Sequence, residues 1–180
     1  MPQPPATPVR DAMLARHSWS KVTDDAPDHA QLVELVAAAG RVADHANLRP
    51  WRLIELRGDD RIRLGEAIGR ATDSEPSTKT LRAPLLIAIV ARHVPTPKVT
   101  EWEQDATAAG VGHALSLLLD EAGYGVIWRT GDFVRADEVA RVHGLTEGEK
   151  LLGWLYVGGK NDRPARRLPV DAESLITRLP

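Results

Sequence analysis

The chain has no cysteine among its 180 residues. Disulfides, thiolate nucleophiles, Cys-ligated zinc and thiolate-held clusters are thereby excluded. It also lacks an excess of either charge: 23 Lys and Arg stand against 25 Asp and Glu, a formal net charge of −2. That balance gives no electrostatic basis for a nucleic-acid or membrane-surface role. No apolar stretch reaches the 18 or so residues that a membrane helix needs, and the run beginning at Leu85 is of strand length. The opening MPQPPATPVR is proline-rich without the apolar core of a secretory signal. Residues 1–8 read as a short flexible lead. Common enzyme signatures are missing too: G-x-S-x-G, Walker A, H-E-x-x-H and a full G-x-G-x-x-G. The six histidines (His17, His29, His45, His93, His113, His143) show no metal-ligand spacing. The expectation that fits these absences is a cytoplasmic protein without metal, nucleic-acid or membrane partner.

What is present is an ordinary globular composition, 43% hydrophobic and 27% charged. A chain this long forms one domain and buries roughly 70% of its unfolded surface without staples. Periodicity predicts helices over 9–16, from an Asp28 N-cap to about Val42, and from an Asp59 or Asp60 cap through Ile68. Further helices are expected over 100–122 and 136–143, stopped by Gly123 and Gly144. Strands are expected over 51–56, 85–91, 124–130 and 151–157. The order α, α, β, α, β, α, β, α, β suggests a sheet covered on its faces by helices, followed by a C-terminal extension over 160–180.

The 100–122 helix is unusual. Between Ala106 and Leu119 its only polar residues are Thr107, His113 and Ser116, so it should be buried on all sides. Ala106, Gly110 and Ala114 lie four apart and form a small-residue stripe that admits a close helix partner. A second copy of the chain would supply it, and a homodimer is the expectation.

Two polar clusters stand out. Arg16-His17-Ser18, with Lys21 beyond, gathers two cations, an imidazole and a hydroxyl at the end of the first helix. Such groups suit a phosphate or a polyhydroxyl chain, or merely compensate a helix C-terminus. The second, Arg41 to Trp51, crowds polar groups into a loop between a helix and a strand, where binding groups often sit.

With two later segments these clusters form an ordered set. Arg16-His17-Ser18 is followed by Asp44-His45-Ala46-Asn47-Leu48-Arg49-Pro50-Trp51, then Arg82 to Ile87 with Trp102-Glu103-Gln104, then Gly123 to Gly131, which reads GYGVIWRTG. The set resembles the FMN-dependent nitroreductase family in its small, minimal form. The match covers residues from about 10 to 160. It implies an α+β fold, with a central antiparallel-rich sheet flanked by helices, in an intertwined homodimer with FMN at the interface. It implies that Arg16, His17, Ser18, Lys21, Arg41, His45, Asn47, Trp128, Arg129 and Thr130 hold FMN, Arg41 and His45 from the other subunit. Asp120, Glu121, Ala122, Gly123, Tyr124 and Gly125 correspond to a segment associated with NAD(P) binding. The implied activity is ping-pong hydride transfer from NAD(P)H through flavin N5 to a small oxidised acceptor such as a nitroaromatic or quinone. The flavin carries the chemistry, so no protein residue is assigned as catalytic. An FMN-storage protein on the same fold is the alternative. Two positions depart from the family pattern: Ala43 stands for a usual Pro, and Arg49 for a usual Gln.

Overall fold

The computed structural model describes residues 8–161 and 169–179. Helix α1 (Pro8–Ala15) begins on Pro8, whose fixed φ and missing N–H suit a first helical position. Pro8, the last residue of the expected lead, is therefore helical, and residues 1–7 lie outside the described residues. Helix α2 (His29–Ala39) starts in a capping box: Asp28 accepts from the Gln31 N–H at 2.8 Å, and Gln31 Oε1 accepts from the Asp28 N–H at 3.1 Å. It stops at Ala39, short of Val42. Gly40 turns the chain there, and a Cβ on it would come within 3.1 Å of the Trp51 ring.

Strand β1 (Trp51–Leu56) has the bounds read from its alternation. Helix α3 (Asp59–Ala71) takes Gly58, not an aspartate, as its N-cap, at φ 48°. Asp59 and Asp60 fall inside the first turn, where their charge complements the helix dipole. Strand β2 (Leu85–Arg92) is buried at all but its last residue. Helix α4 (Glu101–Glu121) opens on a Thr100–Glu103 capping box. Strand β3 (Tyr124–Arg129), helix α5 (Asp137–Val142) and strand β4 (Glu149–Gly159) complete the order.

The sheet runs β1-β2-β4-β3 and is antiparallel throughout. Alternation sends Leu85, Ile87, Ile89, Val126 and Leu155 to one face, against α2 and α4. Leu86, Ala88, Val90, Trp154 and Tyr156 go to the other, against α3 and α5. The α+β expectation therefore holds. Among the described residues no helix is long and apolar enough to cross a membrane.

Burial of α4 differs from the expectation. Its inner face is sealed through Ala108, Val111, Leu115 and Leu119. Trp102, Ala106 and His113 remain exposed on an outer strip, Trp102 at 69%. Gly110 faces the chain's own Val42, 4.0 Å from where its Cβ would be. Among the described residues, the sheet, α2 and, to a smaller extent, α1 pack on α4 and leave that strip open.

A bulge shapes the end of β4. Ile89 pairs with Gly153 and Val90 with Leu151, leaving Leu152 unpaired. The Leu152 carbonyl thereby accepts the Trp128 indole N–H at 3.3 Å. Gly153 sits at φ 127°, and a Cβ there would lie 2.6 Å from both Arg129 O and Trp128 Nε1. Gly153→Ala combines backbone strain with overlap and should cost about 3 kcal/mol. Urea unfolding followed by tryptophan fluorescence measures it.

Candidate functional site

The Arg16-His17-Ser18 segment leaves α1 and runs over the end of β3. Trp19 N–H donates to Val126 O at 3.0 Å, and Thr23 N–H to Gly159 O at 2.9 Å. Three glycines admit this strap. A Cβ on Gly125 would lie 2.9 Å from the Trp19 ring, and one on Gly158 or Gly159 would collide with Val22 or Thr23.

Under the strap lies a cleft of about 200 Å³, lined by Arg16, His17, Ser18, His113, Ser116, Val126 and Trp128. Arg16 Nη1 donates to Ser18 Oγ at 3.5 Å. His17 Nδ1–H donates to Ala15 O at 2.5 Å, which leaves Nε2 for a ligand. The Ser116 hydroxyl is spent on His113 O at 2.7 Å. The Trp128 ring packs on Gly112 of α4, whose Cβ would lie 3.1 Å from it. Among the described residues, one guanidinium, two imidazoles and two hydroxyls line the cleft, and no carboxylate does. That donor set fits the phosphate, carbonyl and hydroxyl oxygens of FMN. The cleft is smaller than the roughly 300–1,000 Å³ of whole-ligand sites, so it holds part of such a molecule.

Sequence reasoning missed His113 and Ser116. Their spacing of three, as polar breaks in an otherwise apolar helix, was the available signal.

The other expected residues do not meet this cleft within one chain. Arg41, His45 and Asn47 are exposed on the loop after α2. The Glu103 carboxyl lies below its usual range, chiefly through the Thr100 N–H and hydroxyl, with a smaller contribution from His45. This loop is strained: Ala46, Asn47 and Arg49 have φ of 56°, 54° and 50°. Asp44 organises it by accepting the Arg49 N–H on Oδ2 at 2.7 Å and the Asn47 N–H on its carbonyl at 3.1 Å.

Lys21 and Arg129 are elsewhere again. Successive residues of β3 face opposite ways, so Trp128 joins the α4 side and Arg129 the Tyr156 side. Thr130 lines the cavity on that second side. Residues 120–125 form the turn from α4 into β3. Asp120 pairs with Lys160 at 3.2 Å, Gly123 turns at φ 95°, and Tyr124 OH donates to Gln31 Oε1 at 3.3 Å. Neither Glu121 nor Ala122 lines the cleft, and Gly125 serves the packing of Trp19.

Residues 13–159 match the Nitroreductase family. A curated relative, "Putative NAD(P)H nitroreductase YdjA" of Escherichia coli (strain K12), is 31% identical over 157 residues, covering 82% of this chain and 86% of its own. Among solved structures, a nitroreductase-like family protein from Bacillus cereus superposes with a TM-score of 0.84 at 22% identity, covering 99% of both chains. The FMN and NADPH-dependent nitroreductase NfnB superposes with a TM-score of 0.77 at 16% identity, covering 95% of this chain and 98% of that one. With the ordered motifs in place and the family match spanning the sheet and all of its helices but the start of α1, the chain belongs to the nitroreductase family.

Proposed function

We propose that the protein is an FMN-dependent oxidoreductase that takes electrons from NAD(P)H and passes them to a small oxidised acceptor, a nitroaromatic or quinone. The carrying observation is the cleft under the strap, which joins Arg16, His17 and Ser18 to Trp128 and contains no acid. FMN, when bound, supplies hydride acceptance and donation. Among the described residues Arg16 is the one guanidinium in the cleft lining, so it holds the anionic portion of the cofactor. His17 Nε2 and the Ser18 hydroxyl bind polar oxygens, and Trp128 gives the cleft an aromatic wall.

The remaining wall comes from a second copy of the chain. Three observations support a dimer: the cleft is too small alone, the strained Arg41–Asn47 loop presents unused polar groups, and α4 keeps an open strip. In the dimer Arg41, His45 and Asn47 of one copy face the cleft of the other. Sedimentation equilibrium should give a dimer that holds two flavins. The purified protein should show a flavin spectrum that bleaches on adding NADH or NADPH without oxygen. Flavin that persists with both nicotinamides would instead indicate storage, and no flavin after adding FMN back would overturn the reading.

A further inference from the structure

The outer strip of α4 has a symmetry of its own. Trp102, Ala106, Ala109 and His113 fall within about 60° of arc at 3.6 residues per turn. They lie opposite the sealed row of Ala108, Val111, Leu115 and Leu119. Along the helix the strip runs large, small, small, large. Trp102 and His113 stand equally far from its midpoint, as do Ala106 and Ala109. Such a strip is its own complement when a two-fold axis lays a second copy antiparallel across it, the isologous arrangement of a homodimer. In that register Ala106 of one copy meets Ala109 of the other, and Trp102 meets His113. The alanines let the helix axes approach to the short end of the roughly 8–10 Å range, and a pair of rings closes the seam at each end.

Exposure and charge agree with this register. Of the five tryptophans Trp102 alone is exposed, at 69%. Among the described residues no cation lies within ion-pair distance of Glu103, and no carboxylate within that distance of His113. The antiparallel register brings Glu103 level with Gly112 of the other copy, next to its His113, so a carboxylate meets an imidazole.

The two ends of α4 also fit. His113 lines the strap cleft. Trp102 stands about 16 Å from it along the axis of the same helix, too far to wall the cleft of its own chain. An antiparallel copy brings an indole there. The loop that holds His45 and Asn47 stands at the Trp102 end of α4. It enters β1 at Pro50, whose carbonyl accepts the Arg92 N–H at 2.9 Å, and the adjacent His93 pairs with Asp105 of α4 at 2.7 Å. One register thus carries both the loop and the indole towards the cleft of the other copy.

We propose that the α4 strip is the two-fold seam of the dimer, and that Trp102 of each copy walls the mouth of the other's strap cleft and favours planar acceptors by stacking. This rests on the dimeric flavoenzyme reading above and gives it a specificity-determining residue. The indole adds a flat apolar face to a cleft whose own lining is largely polar, so a quinone gains from it and a compact inorganic acceptor does not.

The chain has no cysteine, so introduced thiols report the seam without background. The double variant Trp102→Cys/His113→Cys is treated with a bis-maleimide shorter than the separation of the two positions within one chain. It should run as a covalent dimer in denaturing electrophoresis. Either single variant should run as a monomer, because like positions lie at opposite ends of the seam. A double variant that stays monomeric would overturn the proposal, as would a covalent dimer from either single variant. With NADH as donor, Trp102→Ala should raise KM for menadione about 3- to 10-fold and leave KM for ferricyanide unchanged, and Trp102→Phe should restore most of the loss. Equal changes in the two KM values, or none in either, would overturn the role of Trp102. Cross-linking needs no flavin, so a flavin-free protein would fail the reading above while the gel still decides the seam.

Discussion

Arg16→Ala should leave a folded protein that loses FMN on purification. The Arg16 side chain makes one described hydrogen bond, a 3.5 Å contact to Ser18 in an exposed setting, so its removal costs the fold little. Its contribution to cofactor binding is large for the opposite reason: among the described residues it is the only guanidinium or ammonium in the cleft lining, which holds no carboxylate. A charge-assisted hydrogen bond is worth about 1.5–3 kcal/mol, which corresponds to roughly 10- to 150-fold in Kd per contact. Arg16→Lys keeps the charge and loses the fork, so it should fall between parent and alanine variant. Fluorescence titration with FMN gives the affinities, and thermal unfolding of the flavin-free forms gives the control. Undiminished flavin content in Arg16→Ala would remove Arg16 from the site and, with it, the proposed orientation of the cofactor.

The second large effect concerns stability in acid. Arg52 of β1 holds Glu149 of β4 with two hydrogen bonds, 2.7 Å from Nε to Oε1 and 2.8 Å from Nη2 to Oε2. Arg52 Nη2 also donates to Gly144 O at 3.1 Å, and the Thr146 N–H donates to Glu149 Oε2 at 3.0 Å. The Glu149 side chain is 5% exposed and that of Arg52 33%. These bonds, with Arg52 first, lower the Glu149 pKa from 4.5 to about 2. The unfolded chain therefore binds a proton between pH 4.5 and about 2 that the folded chain does not. The contribution of Glu149 is complete above pH 4.5 and is lost as pH falls towards 2. Glu149→Gln should lower stability at neutral pH by about 2–3 kcal/mol, the partial exposure of Arg52 moderating the cost of a broken buried pair. It should also shrink the acid-dependent loss in that window, what remains coming from Glu55 and Glu103, whose carboxyls are also held below the usual range.

A separate step comes from His143, a neighbour in the same region. Its Nδ1–H donates to Val139 O at 2.7 Å, and its Nε2 accepts the Trp154 indole N–H at 2.9 Å. Both ring nitrogens are committed to the neutral form. Burial lowers the His143 pKa, so its contribution is complete above about pH 6.5 and declines below that value. Urea midpoints between pH 8 and 3 should fall in two stages in the parent, and the lower stage should be smaller in Glu149→Gln.

Much of the architecture was legible in the sequence because each element carries its own punctuation. Asp28 with Gln31 and Thr100 with Glu103 mark two helix starts through local hydrogen bonds, and Gly123 and Gly144 mark ends through positive φ. Strand β1 alternates between a side chain in the α4-face core and one facing the other way, which is the pattern a half-buried strand leaves. The errors occurred where a distant partner sets the boundary: α2 ends early because Gly40 must approach Trp51, eleven residues on.

The candidate site was legible as residue types and not as geometry. Arg16-His17-Ser18 and Trp128 were grouped by motif, and the fold does bring them to one cleft. Lys21 and Arg129 belonged to the same motifs, yet they line a different cavity. A motif names neighbours along the chain, whereas a strand alternates its side chains between two faces. Trp128 and Arg129 are adjacent in sequence and face opposite sides of the sheet.

By itself, then, the sequence determined the order of elements, the exclusion of thiol chemistry and the family, since all three are written in local composition and ordered motifs. The tertiary structure alone decided which of those residues share a site. The meeting of Arg16 with His113, or of Lys21 with Arg82 and Arg129, depends on strand register and on glycines that let the strap cross β3. Those contacts join positions scores of residues apart, and the side chains that make them carry no local signature of their partners.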